Sequence, residues 1–153
     1  MAIIEQILNE KGIILGQVPT PVANYIPAKT VGNLVYTSGN ECRINGKLMY
    51  EGKVGSDLSI EQGNEAARQV MINLLAVLKD HLGDLDRIKQ VVKMLAFVNS
   101  ADGFVNQPKV VNGASDLLVE VFGEKGRHAR SAIGTNELPF NTPVEIELIV
   151  EIE

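Results

Sequence analysis

The last 28 residues of the chain, Gly126 to Glu153, read GRHARSAIGTNELPFNTPVEIELIVEIE. They predict two strands, Arg130 to Thr135 and Val144 to Ile152. In the second strand, apolar residues alternate with residues that are mostly glutamate, which is the pattern of a strand with one buried face. Leu138-Pro139 and Thr142-Pro143 lie in the connection. Proline has no N–H to donate to a neighbouring strand, so it is expected in a connection rather than inside a sheet.

Arg130 and Glu145 are the charged residues of these strands that point to chemistry. The planar guanidinium of an arginine matches a carboxylate or a phosphate with two parallel hydrogen bonds. A glutamate can accept a proton or hold a water molecule. The alternative interpretation is a solvated strand face with scattered charges. If the two strands formed a simple hairpin, Glu145 would lie opposite Thr135 and about 16 Å from Arg130. Either the strands are not neighbours, or a second subunit completes the pocket.

Composition limits the class of protein. The chain has 153 residues, of which 45% are hydrophobic and 22% charged, and its net charge is −5. These values predict one soluble domain. The lysines and arginines form no concentrated basic face, which argues against a nucleic-acid partner. The sequence shows neither a secretory signal nor an apolar run of the roughly 20 residues that a membrane span needs. A single cysteine, Cys42, excludes an internal disulfide and favours the cytoplasm.

The other motifs that carry chemistry are absent from the sequence. It has no phosphate-binding glycine loop, no paired cysteines and no metal-binding histidine pair, so we expect neither a metal nor a cofactor. We interpret His81 as structural because it lies near the end of a helix. His128 either faces the same pocket as Arg130 or caps its strand. A nucleophilic role is not expected for Cys42, which has no basic neighbour, or for Ser38 and Ser131, which lack a strained nucleophile turn.

Two long helices and several strands precede the terminal stretch. Ser59 to Gln62 has the form of a capping box and begins a helix that ends at Gly83. A second helix begins at Pro108 and ends at Gly123. A short amphipathic helix is predicted over Ala2 to Asn9. The predicted strands are Leu34 to Ser38, a hairpin from Glu41 to Tyr50 that turns at Asn45-Gly46, and Ile88 to Val98.

The predicted order is therefore βββαβαββ, an α+β architecture in which two helices cover one face of a single mixed sheet. Leu95, Phe97 and Ile149 fall on the alternation that the helices leave uncovered. An apolar sheet face without helices favours self-association.

Three blocks of the chain together resemble one family. Arg130-Ser131 is followed by Leu138-Pro139 and by Val144-Glu145-Ile146-Glu147, in the order and spacing of the terminal signature of the RidA/YjgF reactive-intermediate deaminases. The block from Gly32 to Gly39, GNLVYTSG, is similar to a second family signature, and Tyr25 lies where members carry a tyrosine. The resemblance extends from about residue 22 to the end. It implies a single domain over 1–153 in which residues 1–20 are an N-terminal extension.

The resemblance implies a chorismate-mutase-like fold, a homotrimer that packs its sheets inward as a barrel, and clefts at subunit interfaces. Arg130 matches the arginine that binds the substrate carboxylate, and Glu145 matches the acid that positions a water molecule. The match implies substrate-binding positions at Tyr25, Ser38, Gly39 and Asn112. Two further candidates for substrate binding are Ala132 and His128. For Ala132, as for Gly39, the backbone N–H would assist binding.

The chain also departs from the family pattern. Deaminases of the family commonly have a cysteine where this chain has Ala132, which excludes a role for a thiol there. Asn40-Glu41-Cys42 replaces a Gln-apolar-Pro run and places a carboxylate near the mouth of the site. Arg127-His128-Ala129 replaces the usual Pro-Ala lead-in. These differences indicate a divergent branch whose substrate differs from the standard one.

The first functional hypothesis is an enzyme that hydrolyses 2-aminoacrylate-type enamines and imines to 2-keto acids and ammonia without a cofactor. The second is a trimer that binds small carboxylates at its subunit interfaces without turnover, which Glu41 and Ala132 favour. RNA cleavage is the weakest alternative, because the net charge is −5 and no basic stripe is present.

Overall fold

The computed structural model describes residues 2–18, 20–21 and 23–153, and in them strands alternate with helices. The helices are α1 (Ile3–Glu10), α2 (Ile60–Leu82) and α3 (Gln107–Phe122). The strands are β1 (Ala28–Val31), β2 (Leu34–Thr37), β3 (Arg43–Ile44), β4 (Lys47–Leu48), β5 (Ile88–Asn99), β6 (Ala129–Thr135) and β7 (Val144–Ile152). Within this described part, no helix is both long and apolar enough to cross a membrane.

The two long helices begin and end where their capping residues predict. The Ser59 hydroxyl accepts from the backbone N–H of Gln62 and the Gln62 side chain accepts from the N–H of Ser59, so the predicted capping box of α2 is present. Gly83 at φ 82° and Gly123 at φ 62° end α2 and α3 in conformations that favour glycine. Proline occupies the first turn of α3, where a backbone N–H has no partner in the helix.

The main sheet has five strands in the order β1-β2-β7-β5-β6. It is mixed, since β6 pairs with β5 in parallel and every other pairing is antiparallel. Helices α2 and α3 pack together on one face. Alternate residues of β5 and β7 face these helices and are buried in the core: Met94, Ala96, Val98, Val144, Ile146, Leu148 and Val150. The predicted α+β class and mixed sheet are confirmed.

Strands β6 and β7 are not neighbours, because β5 lies between them. The hairpin considered for these two strands is therefore absent. A parallel neighbour needs a long crossover rather than a tight turn, and α3 provides it between β5 and β6. The β6–β7 connection then passes the end of β5 through a short 3-10 turn at Pro139–Asn141.

The predicted hairpin at Asn45-Gly46 is confirmed as the two-stranded β3–β4 sheet. Asn45 at φ 52° and Gly46 at φ 81° adopt the two positive angles of a type I′ turn. The amide of Asn73, buried on α2, donates to the carbonyls of Glu41 and Arg43 at 3.0 and 2.9 Å. Helix α2 therefore fixes the segment that leads from the main sheet into this hairpin.

Strand β1 is not predicted by the sequence pattern. Of its four residues only Ala28 is buried, so the strand shows no alternation of apolar and polar side chains. Edge strands often lack that pattern, because a single neighbour and partial burial leave their side chains free to vary.

The face of the sheet opposite the helices carries the apolar side chains predicted for it. Leu95, Phe97 and Ile149 are half-buried there. Tyr36, paired with Ile149, and Ile133, paired with Phe97, remain 42% and 44% exposed on the same face. Neither long helix reaches this surface.

Helix α1 packs on its own chain. Asp86 accepts from the backbone N–H groups of Ile3 and Ile4 at 2.8 and 2.9 Å, Glu5 forms an ion pair with Lys79, and Leu8 is buried. Met1 and Pro19 of the predicted 1–20 extension lie outside the described residues. A helix of 8 residues is marginal by itself in water, so these contacts determine its stability.

Replacing Asp86 with alanine removes the acceptor of two N–H groups at the start of α1. A lost cap of this kind costs about 1 kcal/mol, so amide hydrogen exchange in α1 should become about five times faster. Asp86→Asn keeps one acceptor oxygen and should fall between wild type and Asp86→Ala. Unchanged exchange in Asp86→Ala would show that Leu8 burial and the Glu5–Lys79 ion pair hold the helix without this cap.

Candidate functional site

Four of the predicted site residues lie together in one cleft of about 510 Å³. We call it the carboxylate cleft, because three glutamates contribute to its wall. Its lining residues are Tyr25, Ser38, Gly39, Glu41, Pro139, Phe140, Glu145 and Glu147. Tyr25, Ser38, Gly39 and Glu145 were predicted from the sequence.

A bulge at the end of β2 shapes this cleft. The N–H of Leu148 on β7 donates to the side-chain oxygen of Thr37 at 2.9 Å, and backbone pairing resumes between Asn40 and Ile146. Two residues, Ser38 and Gly39, therefore lie opposite one residue of β7. Bulges of this kind often re-aim side chains beside active sites.

Gly39 lies directly against the Glu145 side chain. A Cβ atom at position 39 would lie 3.1 Å from Cγ and Cδ of Glu145 and 3.2 Å from its Oε2. Any larger side chain would push the carboxyl group from its position. The glycine thus lets the bulge approach Glu145 closely.

The pKa of the Glu145 carboxyl is raised above its usual value. Burial is the main cause, since it disfavours the ionised form, and the nearby Glu41 and Glu147 carboxylates raise the pKa further. No hydrogen bond or ion pair to the Glu145 carboxyl is present among the described residues. A glutamate in this environment exchanges a proton closer to neutral pH than an exposed one does.

The far wall of the carboxylate cleft contains an unusual backbone. Phe140 and Asn141 adopt φ angles of 60° and 62°, a conformation that costs energy for residues other than glycine. Asn99 holds this turn by donating to Asn141 Oδ1 at 3.1 Å. The Phe140 ring is 52% exposed, and the Arg43 guanidinium lies 4.8 Å from its centroid. The turn therefore presents an aromatic side chain to the cleft.

Arg130 belongs to a different cleft, of about 310 Å³, which we call the arginine cleft. Its lining residues are Asn112, Ser115, Val119, Arg127, His128 and Arg130. Arg130 Nη1 donates to Ser115 Oγ at 3.0 Å, and its Nη2 donates to the Pro108 carbonyl at 3.2 Å. Both partners lie on α3, so the arginine is held against that helix.

His128 takes part in the same hydrogen-bond network. Its Nε2 lies 2.9 Å from Ser115 Oγ and its Nδ1 lies 2.6 Å from the Gly126 carbonyl oxygen. His128 therefore lines the pocket of Arg130, and its ring also contacts the backbone just before β6. Ser115 was missed, because one hydroxyl inside an amphipathic helix gives no signal in the sequence.

The two clefts lie on opposite faces of the sheet. Arg130 pairs with Met94, which faces the helices, whereas Glu145 pairs with Phe97 on the uncovered face. Two inter-strand spacings and three positions along the strands separate the two Cα atoms, a distance of about 14 Å. Within one chain, Arg130 and Glu145 therefore cannot contact the same small molecule.

Ala132 lines neither cleft, and its side chain packs beside Ala96 at the edge of the core. Its backbone is the relevant part. The Thr135 carbonyl accepts from Ser100, so the carbonyl and N–H of Thr135 point toward β5. The direction of the backbone N–H and carbonyl groups alternates from one residue to the next along a strand. The Ala132 N–H therefore points to the open edge of β6. It lies on the same edge strand as Arg130.

Other candidate residues have structural contacts. Cys42 is fully buried, with its sulfur 3.8 Å from Thr142 Oγ1 and 3.7 Å from the Tyr50 carbonyl oxygen. His81 Nε2 lies 2.7 Å from the Thr30 hydroxyl. In residues 2–18, 20–21 and 23–153, no group of three or more His, Cys, Asp or Glu side chains is placed to hold a metal ion.

This fold and these clefts define a known class of proteins. The family described as "YjgF/chorismate_mutase-like, putative endoribonuclease" matches residues 5–152, and the chain belongs to it. The match includes most of α1. The resemblance seen in the terminal signature is thereby confirmed.

Individual relatives are similar over nearly their whole length. Protein TCP17 of Trypanosoma cruzi is 40% identical over 95% of this chain and 91% of its own length. The protein Atu1372 of Agrobacterium tumefaciens, of unknown function, is 45% identical with a TM-score of 0.92, over 99% of this chain and 93% of its own. The 2-iminobutanoate/2-iminopropanoate deaminase of Dermatophagoides farinae is 32% identical over 88% of this chain and 91% of its own.

The raised pKa of Glu145 predicts a pH-dependent effect on stability. A raised pKa in the folded state contributes stability that is complete below the unfolded pKa of about 4.3 and is lost as the pH rises through the folded pKa. Glu145→Gln cannot ionise, so it should have a higher free energy of unfolding than wild type at pH 7. Urea titrations should show this difference vanishing near pH 4.

Glu120→Gln is the matched control, because Glu120 is exposed and pairs with Arg68 at 3.4 Å. Its free energy of unfolding at pH 7 should not exceed that of wild type. A Glu145→Gln protein that is less stable than wild type at pH 7 would contradict the burial and charge repulsion described for this carboxyl.

Proposed function

We propose that the protein is an enzyme that hydrolyses 2-aminoacrylate-type enamines and imines to 2-keto acids and ammonia. The reaction takes place in sites assembled between copies of the chain. Each site pairs the carboxylate cleft of one copy with the arginine cleft of the next. The observation that carries the proposal is the division of the candidate residues, since Glu145 and Arg130 lie on opposite faces of one chain.

Charge complementarity supports assembly in this manner. The carboxylate cleft carries Glu41, Glu145 and Glu147, and the arginine cleft carries Arg127 and Arg130 beside His128. Opposite charges on two surfaces guide their encounter and disfavour other orientations. The same charges are too far apart within a chain to neutralise each other.

The proposed assembly is a homotrimer, as the family resemblance implies. The apolar outer face of the sheet supports it, because Leu95, Phe97 and Ile149 are covered by neither long helix. A closed ring repeats one head-to-tail junction, so three copies form three equivalent sites. The domain of 1–153 with an N-terminal segment packed as α1 is the proposed subunit.

The chemistry follows from the positions of the two charged residues. Arg130 of one copy binds the substrate carboxylate, and the imine carbon then lies at Glu145 of its neighbour. Glu145 accepts a proton from water as the water oxygen bonds to that carbon, and it then donates this proton to the imine nitrogen, which gives a carbinolamine. The hydroxyl proton of the carbinolamine moves through Glu145 to the nitrogen as ammonia leaves, so the keto acid forms and Glu145 is again ionised. In the single chain, burial and the Glu41 and Glu147 carboxylates raise the pKa of Glu145, which favours proton uptake by this carboxylate.

The remaining predicted residues have supporting roles in this proposal. Tyr25 forms a wall of the carboxylate cleft, and Ser38 and Gly39 place the bulge beside Glu145. The Gly39 N–H has no acceptor among the described residues, so it is available to a ligand. Asn112 lines the arginine cleft and the Ala132 N–H lies on the edge strand, where both reach a ligand held by Arg130.

Two further observations agree with the proposal. The Dermatophagoides farinae relative is named for the deamination of 2-iminobutanoate and 2-iminopropanoate, which are imines of the proposed class. The single cysteine is buried and unpaired, which suits a reducing compartment, and we propose the cytoplasm.

Formation of keto acid from 2-aminoacrylate generated in situ tests the reaction. Arg130→Ala and Glu145→Gln should each lower kcat/KM by about 100-fold or more, since each removes a charged group from the reacting complex. The controls are Arg68→Ala and Glu120→Gln, which remove the same residue types from an exposed ion pair between α2 and α3. They should retain wild-type activity. A folded wild-type protein that binds small carboxylates but forms no keto acid would support the binding module instead.

Subunit mixing tests the assembly of the site. Arg130→Ala and Glu145→Gln proteins are each expected to be inactive alone. When they are denatured together and refolded as mixed trimers, some junctions pair an intact Arg130 with an intact Glu145. For random mixing in equal amounts, about one quarter of the sites should be intact, with activity recovered in that proportion.

Each variant refolded alone is the control for this experiment. Activity that stays absent in the mixture, although mass spectrometry shows mixed oligomers, would place both residues of a site in the same chain. The expected fraction of one quarter is the same for a closed ring of any size, so oligomers of another size would revise only the trimer.

A further inference from the structure

Arg130 is a residue of an edge strand, yet its guanidinium is held at two points. Its Nη1 and Nη2 atoms donate to Ser115 Oγ and to the Pro108 carbonyl, both on α3. An arginine side chain has large rotamer freedom, and an edge position restricts it little. The two hydrogen bonds therefore decide where its charge lies before a ligand arrives.

The direction of each hydrogen bond in this network can be assigned. A carbonyl oxygen only accepts, so the proton of the His128 ring that faces Gly126 is on Nδ1. In the neutral ring Nε2 is then an acceptor, and the Ser115 hydroxyl donates to it. The Ser115 oxygen is left with lone pairs, and one of them accepts from Arg130.

We propose that Ser115 and His128 are positioning residues that hold Arg130 in the orientation that binds a substrate carboxylate. Hydrogen bonds run in one direction, from Arg130 to Ser115, from Ser115 to His128 and from His128 to the Gly126 carbonyl. Gly126 packs directly against α3, because a Cβ there would lie 2.2 Å from the Leu118 carbonyl oxygen. The chain of donors thus begins at Arg130 and ends on a backbone carbonyl that packs against the same helix. This inference rests on the proposed role of Arg130.

The same geometry argues against Ser115 as a nucleophile. A serine beside a histidine whose other nitrogen is fixed resembles the arrangement of an activated hydroxyl. Here, however, the hydroxyl hydrogen is directed to His128 and the oxygen accepts from Arg130, while Met94 Sδ lies 3.9 Å away. Its hydrogen-bonding capacity is largely used within the chain. Ser115 acts through Arg130 rather than on the substrate.

Ser115→Ala tests the network against a matched control. Binding of 2-oxobutanoate, a small keto acid of the proposed product class, should weaken about 10-fold by calorimetry, because Arg130 must be ordered anew in each binding event. KM should rise by a similar factor while kcat changes less than about twofold. Ser115→Thr keeps the hydroxyl and should restore most of the affinity.

Ser100→Ala is the control. Ser100 is also partly buried, and its hydroxyl donates to the Val98 carbonyl and accepts from Gln107 of α3 at 3.2 Å. Its loss removes an equivalent serine contact to the same helix without touching Arg130. The Ser100→Ala protein should bind 2-oxobutanoate as wild type does.

A spectroscopic measurement tests the hydrogen-bond network without relying on the proposed reaction. Long-range ¹H–¹⁵N spectra of wild type should show a His128 proton on Nδ1, and the Arg130 guanidinium should rotate slowly. In Ser115→Ala that rotation should become faster. If Arg130→Ala binds 2-oxobutanoate as well as wild type, the proposed function of Arg130 fails, whereas the spectra still decide whether the network exists.

Three results would overturn the inference. The first is unchanged affinity and unchanged guanidinium rotation in Ser115→Ala. The second is a loss of kcat at constant KM, which would indicate participation in the chemical step. The third is covalent labelling of Ser115 by a fluorophosphonate probe, which would identify it as a nucleophile.

Discussion

The parallel pairing of β6 with β5 is the constraint on which the site depends. Antiparallel strands can be joined by a tight turn, but parallel neighbours need a crossover, and here α3 spans that distance. Strand β6 is thereby placed at the sheet edge with one face against α3. Strand β7 must then pass to the other side of β5. The two halves of the terminal signature, contiguous in sequence, are separated by a whole strand.

This separation has an electrostatic consequence. If Arg130 lay beside Glu145, its charge would stabilise the carboxylate and lower the pKa of Glu145. The intervening strand prevents such a pair within one chain, so burial and the charges of Glu41 and Glu147 raise that pKa instead. Within one chain, the fold thus keeps Arg130 from lowering the pKa of the Glu145 carboxyl.

The elements predicted well from sequence are those with strong local signals. The capping box at Ser59, the glycines that end the long helices and the alternation in β7 each specify structure within a few residues. Strand β1 was missed because a short edge strand shows no such alternation. The pairing of β6 could not be predicted from local patterns either, since it depends on which of several compatible partners the crossover reaches.

The family resemblance named Arg130, Glu145 and the residues of the bulge, but not how they are arranged. The estimate of about 16 Å for a hairpin left two alternatives open, that the strands are not neighbours or that a second subunit completes the pocket. What the sequence could not show is contact between residues far apart along the chain. The Glu41 side chain raises the pKa of Glu145 only because the bulge brings them together.

Ser115 is a second residue whose contacts could not be predicted from the sequence. It lies among apolar residues of α3. Its hydroxyl contacts Arg130 and His128 only because β6 brings these residues against that helix. An arginine on a sheet edge without such contacts would sample many orientations, and binding would have to overcome that freedom each time. The crossover that moves Arg130 away from Glu145 also supplies the helix that holds it. Separation of the two charges and orientation of the arginine therefore have one structural cause.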